Sequence, residues 1–158
     1  MGDIQIKEKD TAFNCRVVGI CEKDGKILLC RLKTDEYWAC VGGKVAFGES
    51  TEEAIVREYW EETSAKIQID HLSAVVESFF TLEGRKWHQY IFFYQLKDEN
   101  NELEIFEGER MVADDANAVY KWFDVSQLGG VEIRPVCSMD VLKDLSSNRI
   151  LHIVNREW

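Results

Sequence analysis

At 158 residues the chain has the size of one globular domain, 1–158, and is short for two. Apolar residues make up 46%, enough for a packed core, yet no stretch is long and apolar enough to cross a bilayer. The formal charge of -10, with no Lys/Arg cluster, argues against nucleic acid as a bulk partner; an acidic protein still binds phosphates when a divalent cation bridges the two.

The opening Met1-Gly2-Asp3-Ile4-Gln5-Ile6 lacks the basic-then-apolar pattern of a secretory leader. Cys15, Cys21, Cys30, Cys40 and Cys137 are odd in number and contain no CxxC pair. They are expected to stay reduced and to pack as small hydrophobes, which points to a cytoplasmic protein.

In chain order, Val17–Cys21 and Ile27–Cys30 read as short strands, joined by a tight turn at Asp24-Gly25. A Trp-bearing strand, Tyr37–Val41, runs into Gly42-Gly43, where glycine is expected to ease a tight turn. Thr51–Thr63 is the strongest helix, with Ser50 as its cap and Glu53 closing a capping box. Ala74–Phe80 and Trp87–Leu96 are strands separated by a turn at 82–85, and 97–101 is a polar loop. Ala118–Phe123 is a further strand, and Pro135 is expected to open a helix running to about Leu145. Strands on both sides of a helix predict a mixed α/β fold, a mixed sheet between helices.

The segment Gly43 to Ala65 carries the chemistry. At about 100° per residue, Ile55, Val56, Tyr59, Trp60 and Thr63 share one arc, expected to face the sheet. Ala54, Arg57, Glu58, Glu61 and Glu62 share the other, so three carboxylates one helical turn apart are expected in one patch. Like charges at these spacings cost a few tenths of a kcal/mol per pair. Mg²⁺ or Mn²⁺, both of which take oxygen ligands, would relieve that repulsion. Arg57 can pair with Glu61 along the helix or with Glu49 across the loop. Taken alone, a Glu-Glu pair on a helix is an ordinary solvated face. It is the coincidence with the glycine, the loop glutamate and the arginine at fixed offsets that points to a site.

This segment resembles the Nudix box: Gly43, Glu49, Arg57, Glu58, Glu61 and Glu62 match it in register. Ser64 stands where the family has Gly, Tyr59 and Ala65 occupy aliphatic positions, and Val41 replaces a common Pro. The resemblance implies a Nudix-type α/β/α sandwich and a hydrolase of the MutT-like kind, with Mg²⁺ or Mn²⁺ as cofactor. Such an enzyme cleaves the pyrophosphate bond of a nucleoside diphosphate linked to another group. Glu58 and Glu62 would be the main metal ligands, with Glu61 and the Gly43 carbonyl as further ones and Glu49 in support. Arg57 would hold carboxylates in place, and the general base would be Glu61 or a loop glutamate, Glu107 or Glu109. Phe80, Trp87, His88 and Arg85 are candidates for holding the substrate, against the plainer reading of core aromatics and a surface charge. A small nucleotide would be the partner, with no nucleic acid or membrane, and a homodimer is open. The short chain is more similar to members that cleave nucleoside triphosphates, with an ADP-ribose-type nucleotide sugar as the alternative substrate. A binding module or sensor without turnover, and a cation-binding structural domain, are the competing classes.

Overall fold

The structure is a computed structural model that describes residues 2–106, 110–112 and 115–158, without the side chains of 110–112, 115 and 116. Among the described residues nine strands form one mixed sheet. They are β1 (Gln5–Lys7), β2 (Thr11–Lys23), β3 (Lys26–Leu32), β4 (Ala39–Lys44), β5 (Gln68–Leu82), β6 (Arg85–Lys97), β7 (Arg110–Val112), β8 (Asp115–Asp124) and β9 (Leu151–Arg156). Their order is β7-β8-β3-β4-β2-β6-β5-β9, with β1 alongside β2.

Two hairpins follow from local chemistry. Asp24 and Gly25 (φ 53° and 76°) close β2 onto β3, and Glu83 and Gly84 (φ 53° and 74°) close β5 onto β6. Paired positive φ angles match the right-handed twist of the flanking strands. The central pairing is not local: β2 runs parallel to β6 from Thr11–Lys86 to Cys21–Leu96.

Helix α1 (Thr51–Thr63) has the expected capping box, Ser50 accepting from the Glu53 amide while the Glu53 carboxylate accepts from the Ser50 amide. It covers one sheet face through Ala54, Ile55 and Tyr59, over Val17, Val41 and Leu96. The Tyr59 hydroxyl donates to the Gly19 carbonyl at 3.1 Å, which fixes the helix to β2. The short helix α2 (Ser138–Leu142) closes the other face over Val18, Ile20 and Phe93. The result is the expected sandwich. No helix among the described residues is long and apolar enough to cross a membrane.

Several local expectations are corrected. The C-terminal helix begins at Ser138 rather than Pro135 and ends at Leu142. Residues 135–140 first make tight i→i+3 bonds, such as Ser138 N–H to the Pro135 carbonyl at 2.9 Å. The strand expected from Tyr37 begins at Ala39, and β1 and β9 were not anticipated. Gly42 and Gly43 are strand residues of β4 opposite Val18 and Val17, with no left-handed φ. Here glycine supplies space, not a turn. The inward arc of α1 is also rotated: Ala54 is fully buried, whereas Val56 and Trp60 are exposed. The helix leans on the glycine-bearing strand, which draws the Ala54–Glu58–Glu62 side toward the sheet.

Candidate active site

The site forms where the Gly43 end of β4 meets α1. A β-carbon on Gly43 would run into the Glu58 carboxyl group, so glycine makes the cradle in which that carboxyl sits. The Glu58 side chain keeps only 15% of its surface in solvent. Burial raises its pKa, and the hydrogen bond from Arg57 holds it back. Glu62, one turn on, is more strongly affected: burial, then the charge of Glu58, push its pKa to about 8. The Tyr120 hydroxyl donates to its Oε1 at 3.4 Å, while Oε2 is buried with no hydrogen-bond partner among the described residues.

Arg57 makes both pairings that the sequence allowed, and more. Its Nε donates to Glu49 Oε2 at 3.0 Å and its Nη2 to Glu49 Oε1 at 2.5 Å, a two-pronged contact across the loop. Nη1 reaches Glu58 at 2.9 Å and Glu61 at 3.2 Å, and Nη2 also donates to the Lys44 carbonyl at 3.0 Å. These contacts raise the Arg57 pKa, led by the hydrogen bond to Glu49, and lower that of Glu49. Glu49 also accepts from the Ala46 amide at 2.7 Å, which fixes the loop between β4 and α1.

The three carboxylates are therefore not equivalent. Glu58 and Glu62 face inward, and Glu61 is exposed and drawn toward Arg57. Among the described residues no three Asp, Glu, His or Cys side chains are already gathered as a ligand cluster. What is present still suits a hard divalent cation: oxygen donors only, a crowded carboxyl and a buried carboxylate oxygen lacking a partner. Ser64, which replaces the family glycine, caps α1 in the left-handed region (φ 60°), its amide donating to Trp60.

A cavity of about 510 Å³ lies on the face that carries α2, and none of the box acids is in its wall. Its wall includes Arg16, Ala39, Phe80, Gln89, Arg134 and Ser138. Arg16 lines the cavity, and its charge lowers the pKa of Glu58 and of Glu62. It stands opposite Lys44 in the β2–β4 pairing, next to Gly43 and Val17. Arg16 was not singled out in the sequence, although a lone arginine heading the apolar run 17–21 was a legible sign.

The four substrate-contact candidates separate. Phe80 lines the cavity and stacks on Trp87, the ring planes 6° apart. His88 points to the opposite face, between Phe79 and Phe13, because neighbours along a strand alternate. Arg85 is tied to the Glu8 carbonyl at 3.1 Å, away from the cavity. Glu107 and Glu109 lie outside the described residues. The five cysteines are free, and burial pushes Cys21 and Cys40 up to about 12, which leaves them as unreactive packing groups.

Residues 12–138 match the family model for the NUDIX domain. A protein of Methanocaldococcus jannaschii named ADP-ribose pyrophosphatase is 45% identical over 65 residues, which is 39% of this chain and 38% of that protein. The Nudix hydrolase YvcI of Bacillus subtilis is 27% identical over 120 residues, covering 73% of this chain and 69% of its own. The crystal structure of a mutator MutT protein from Bacillus halodurans superposes with a TM-score of 0.64 at 22% identity, over 91% of each chain. The match to the Methanocaldococcus protein thus spans under half of its length, and the structural likeness speaks for the fold.

Proposed function

The chain belongs to the Nudix family of pyrophosphohydrolases, and from that premise we propose that it hydrolyses the pyrophosphate bond of a nucleoside diphosphate linked to a further group. The observation that carries this reading is the inward-facing pair Glu58 and Glu62, with Glu58 seated against Gly43; the charge of Arg16, a residue of the 510 Å³ cavity wall, acts on both. A cavity of that size falls in the range used for small ligands.

Nudix hydrolases generally use divalent metal ions. In this chain Glu58 and Glu62 would hold the ion, with Glu61 and the Gly43 carbonyl as further ligands. Bound there, Mg²⁺ or Mn²⁺ would neutralise phosphate charge and make water more acidic. The protein's own groups do the rest. Arg57 fixes Glu49 and Glu58 with directed hydrogen bonds, so neither carboxylate has to be ordered when substrate arrives. Arg16, a cavity-wall residue whose charge acts on both acids, would meet the negative charge of the diphosphate. Phe80 offers an aromatic face to the organic part of the substrate. The proton of the attacking water would go to Glu61 or to the loop glutamates Glu107 and Glu109.

The further group is a phosphate or a sugar. The name of the Methanocaldococcus relative favours an ADP-ribose-type nucleotide sugar. Reaction in ¹⁸O-labelled water tests the bond assignment: label belongs on a phosphate product. Label on a sugar carbon, or hydrolysis undiminished by a chelator, would overturn the reading.

A further inference from the structure

One row of the sheet differs from its neighbours. Gln5, Asn14, Gln89, Ser78 and Asn155 come from β1, β2, β6, β5 and β9, each opposite the next in register. Paired residues share a face, so five polar side chains cross the sheet in one line. The row on one side contains Arg16, Ile91, Val76 and Ile153, and on the other Ala12, Trp87 and Phe80. Asn14 and Ser78 are buried, and the amide oxygens of Asn14 and Gln5 have no hydrogen-bond partner among the described residues. A buried polar row costs stability that apolar side chains would not.

The row runs beneath the cavity. Gln89 and Ser78 line it, and Asn155 donates to Ser78 at 3.2 Å and to Glu157, also in the wall, at 3.2 Å. Ser138, in the same wall and 1% exposed, has a hydroxyl with no partner among the described residues. The cavity is therefore built to hydrogen-bond what it holds. Arg134 is committed to Glu132 at 2.8 Å and lies over Tyr37, and Arg16 stands opposite Lys44 at the strand end that carries Gly43. That leaves the Gln89 carboxamide as the group with a donor and an acceptor side by side.

We propose that Gln89 reads the base of the substrate and that the base is adenine, with Ser138 adding a hydroxyl and with Asn14, Ser78 and Asn155 as positioning residues. In nucleic-acid recognition a carboxamide pairs in two-pronged fashion with the amino group and ring nitrogen of adenine, and arginine does so with guanine. This rests on the reading that the cavity holds the nucleoside part, so the test uses binding rather than turnover. Calorimetric titration of the full chain with AMP, GMP and UMP should show AMP preferred by about tenfold or more. Gln89→Leu should abolish that preference, and Gln89→Arg should turn it toward GMP. Gln89→Glu keeps the shape but loses the donor, and should weaken AMP as Gln89→Leu does. Equal affinity for the three nucleotides, or an AMP preference that survives in folded Gln89→Leu and Gln89→Glu, would overturn the assignment. A chain that prefers AMP through Gln89 yet cleaves no phosphoanhydride supports the base assignment and sinks the hydrolase reading.

Discussion

Consider Glu62→Gln in metal-free protein. The pKa of Glu62 rises from the ordinary 4.5 to about 8, first through burial and then through the charge of Glu58. Its folded-state pKa is raised, so below about 4.5 both folded and unfolded chains carry the proton and nothing is lost. Between 4.5 and about 8 the unfolded chain releases it while the folded one holds on, and stability falls. At about 1.36 kcal/mol per pH unit, the full span sets a ceiling of roughly 4–5 kcal/mol. Screening by solvent reduces this to about 2 kcal/mol. Glutamine keeps the shape and can still accept from Tyr120, so the variant escapes the loss. For a chain of this length, its melting point at pH 8 in chelator should exceed the parent's by about 4–8 °C. The two should converge below about pH 4.5. Added Mg²⁺ should stabilise the parent and not the variant, and turnover by the variant should fall by orders of magnitude. Scanning calorimetry from about pH 4 to 9, with and without metal, makes the measurement. A pH-independent difference, or near-normal hydrolysis by Glu62→Gln, would refute the assignment of Glu62 as a buried ligand.

Gly43→Ala should cost at least tenfold in Mn²⁺ affinity, read by titration calorimetry, because the new methyl group displaces the Glu58 carboxyl. Ser64→Gly should stabilise the fold by about 1 kcal/mol, since an L residue holds the left-handed cap at a cost; an unchanged or lower melting point would contradict this. Arg57→Ala should make acid unfolding begin at higher pH: the Glu49 pKa is lowered mainly by Arg57, so its contribution is present above 4.5 and lost as pH falls. Glu107→Gln or Glu109→Gln should reduce turnover with little change in metal affinity if a loop glutamate is the base; full turnover in the double variant moves that role to Glu61.

Much of this protein is written in local sequence. The Ser50–Glu53 box fixes where α1 begins, and Asp24-Gly25 and Glu83-Gly84 fix two hairpins, because each depends on a few adjacent residues. The spacing of Gly43, Glu49, Arg57, Glu58, Glu61 and Glu62 likewise identifies the family and the acidic face. Tertiary structure decided what depends on neighbours distant in sequence. Periodicity placed all three box glutamates on one outward arc, and only the lean of α1 against β4 turned Glu58 and Glu62 inward while Glu61 stayed in solvent. The glycines of β4 read as a turn, and the fold shows Gly43 as space for a carboxyl group and Gly42 as close approach to β2. Above all, the polar row from Gln5 to Asn155 was invisible. Each member is an unremarkable polar residue in its own strand, and only the register of five strands, with β2 parallel to β6 and β5 parallel to β9 through long connections, brings them into line beneath the cavity.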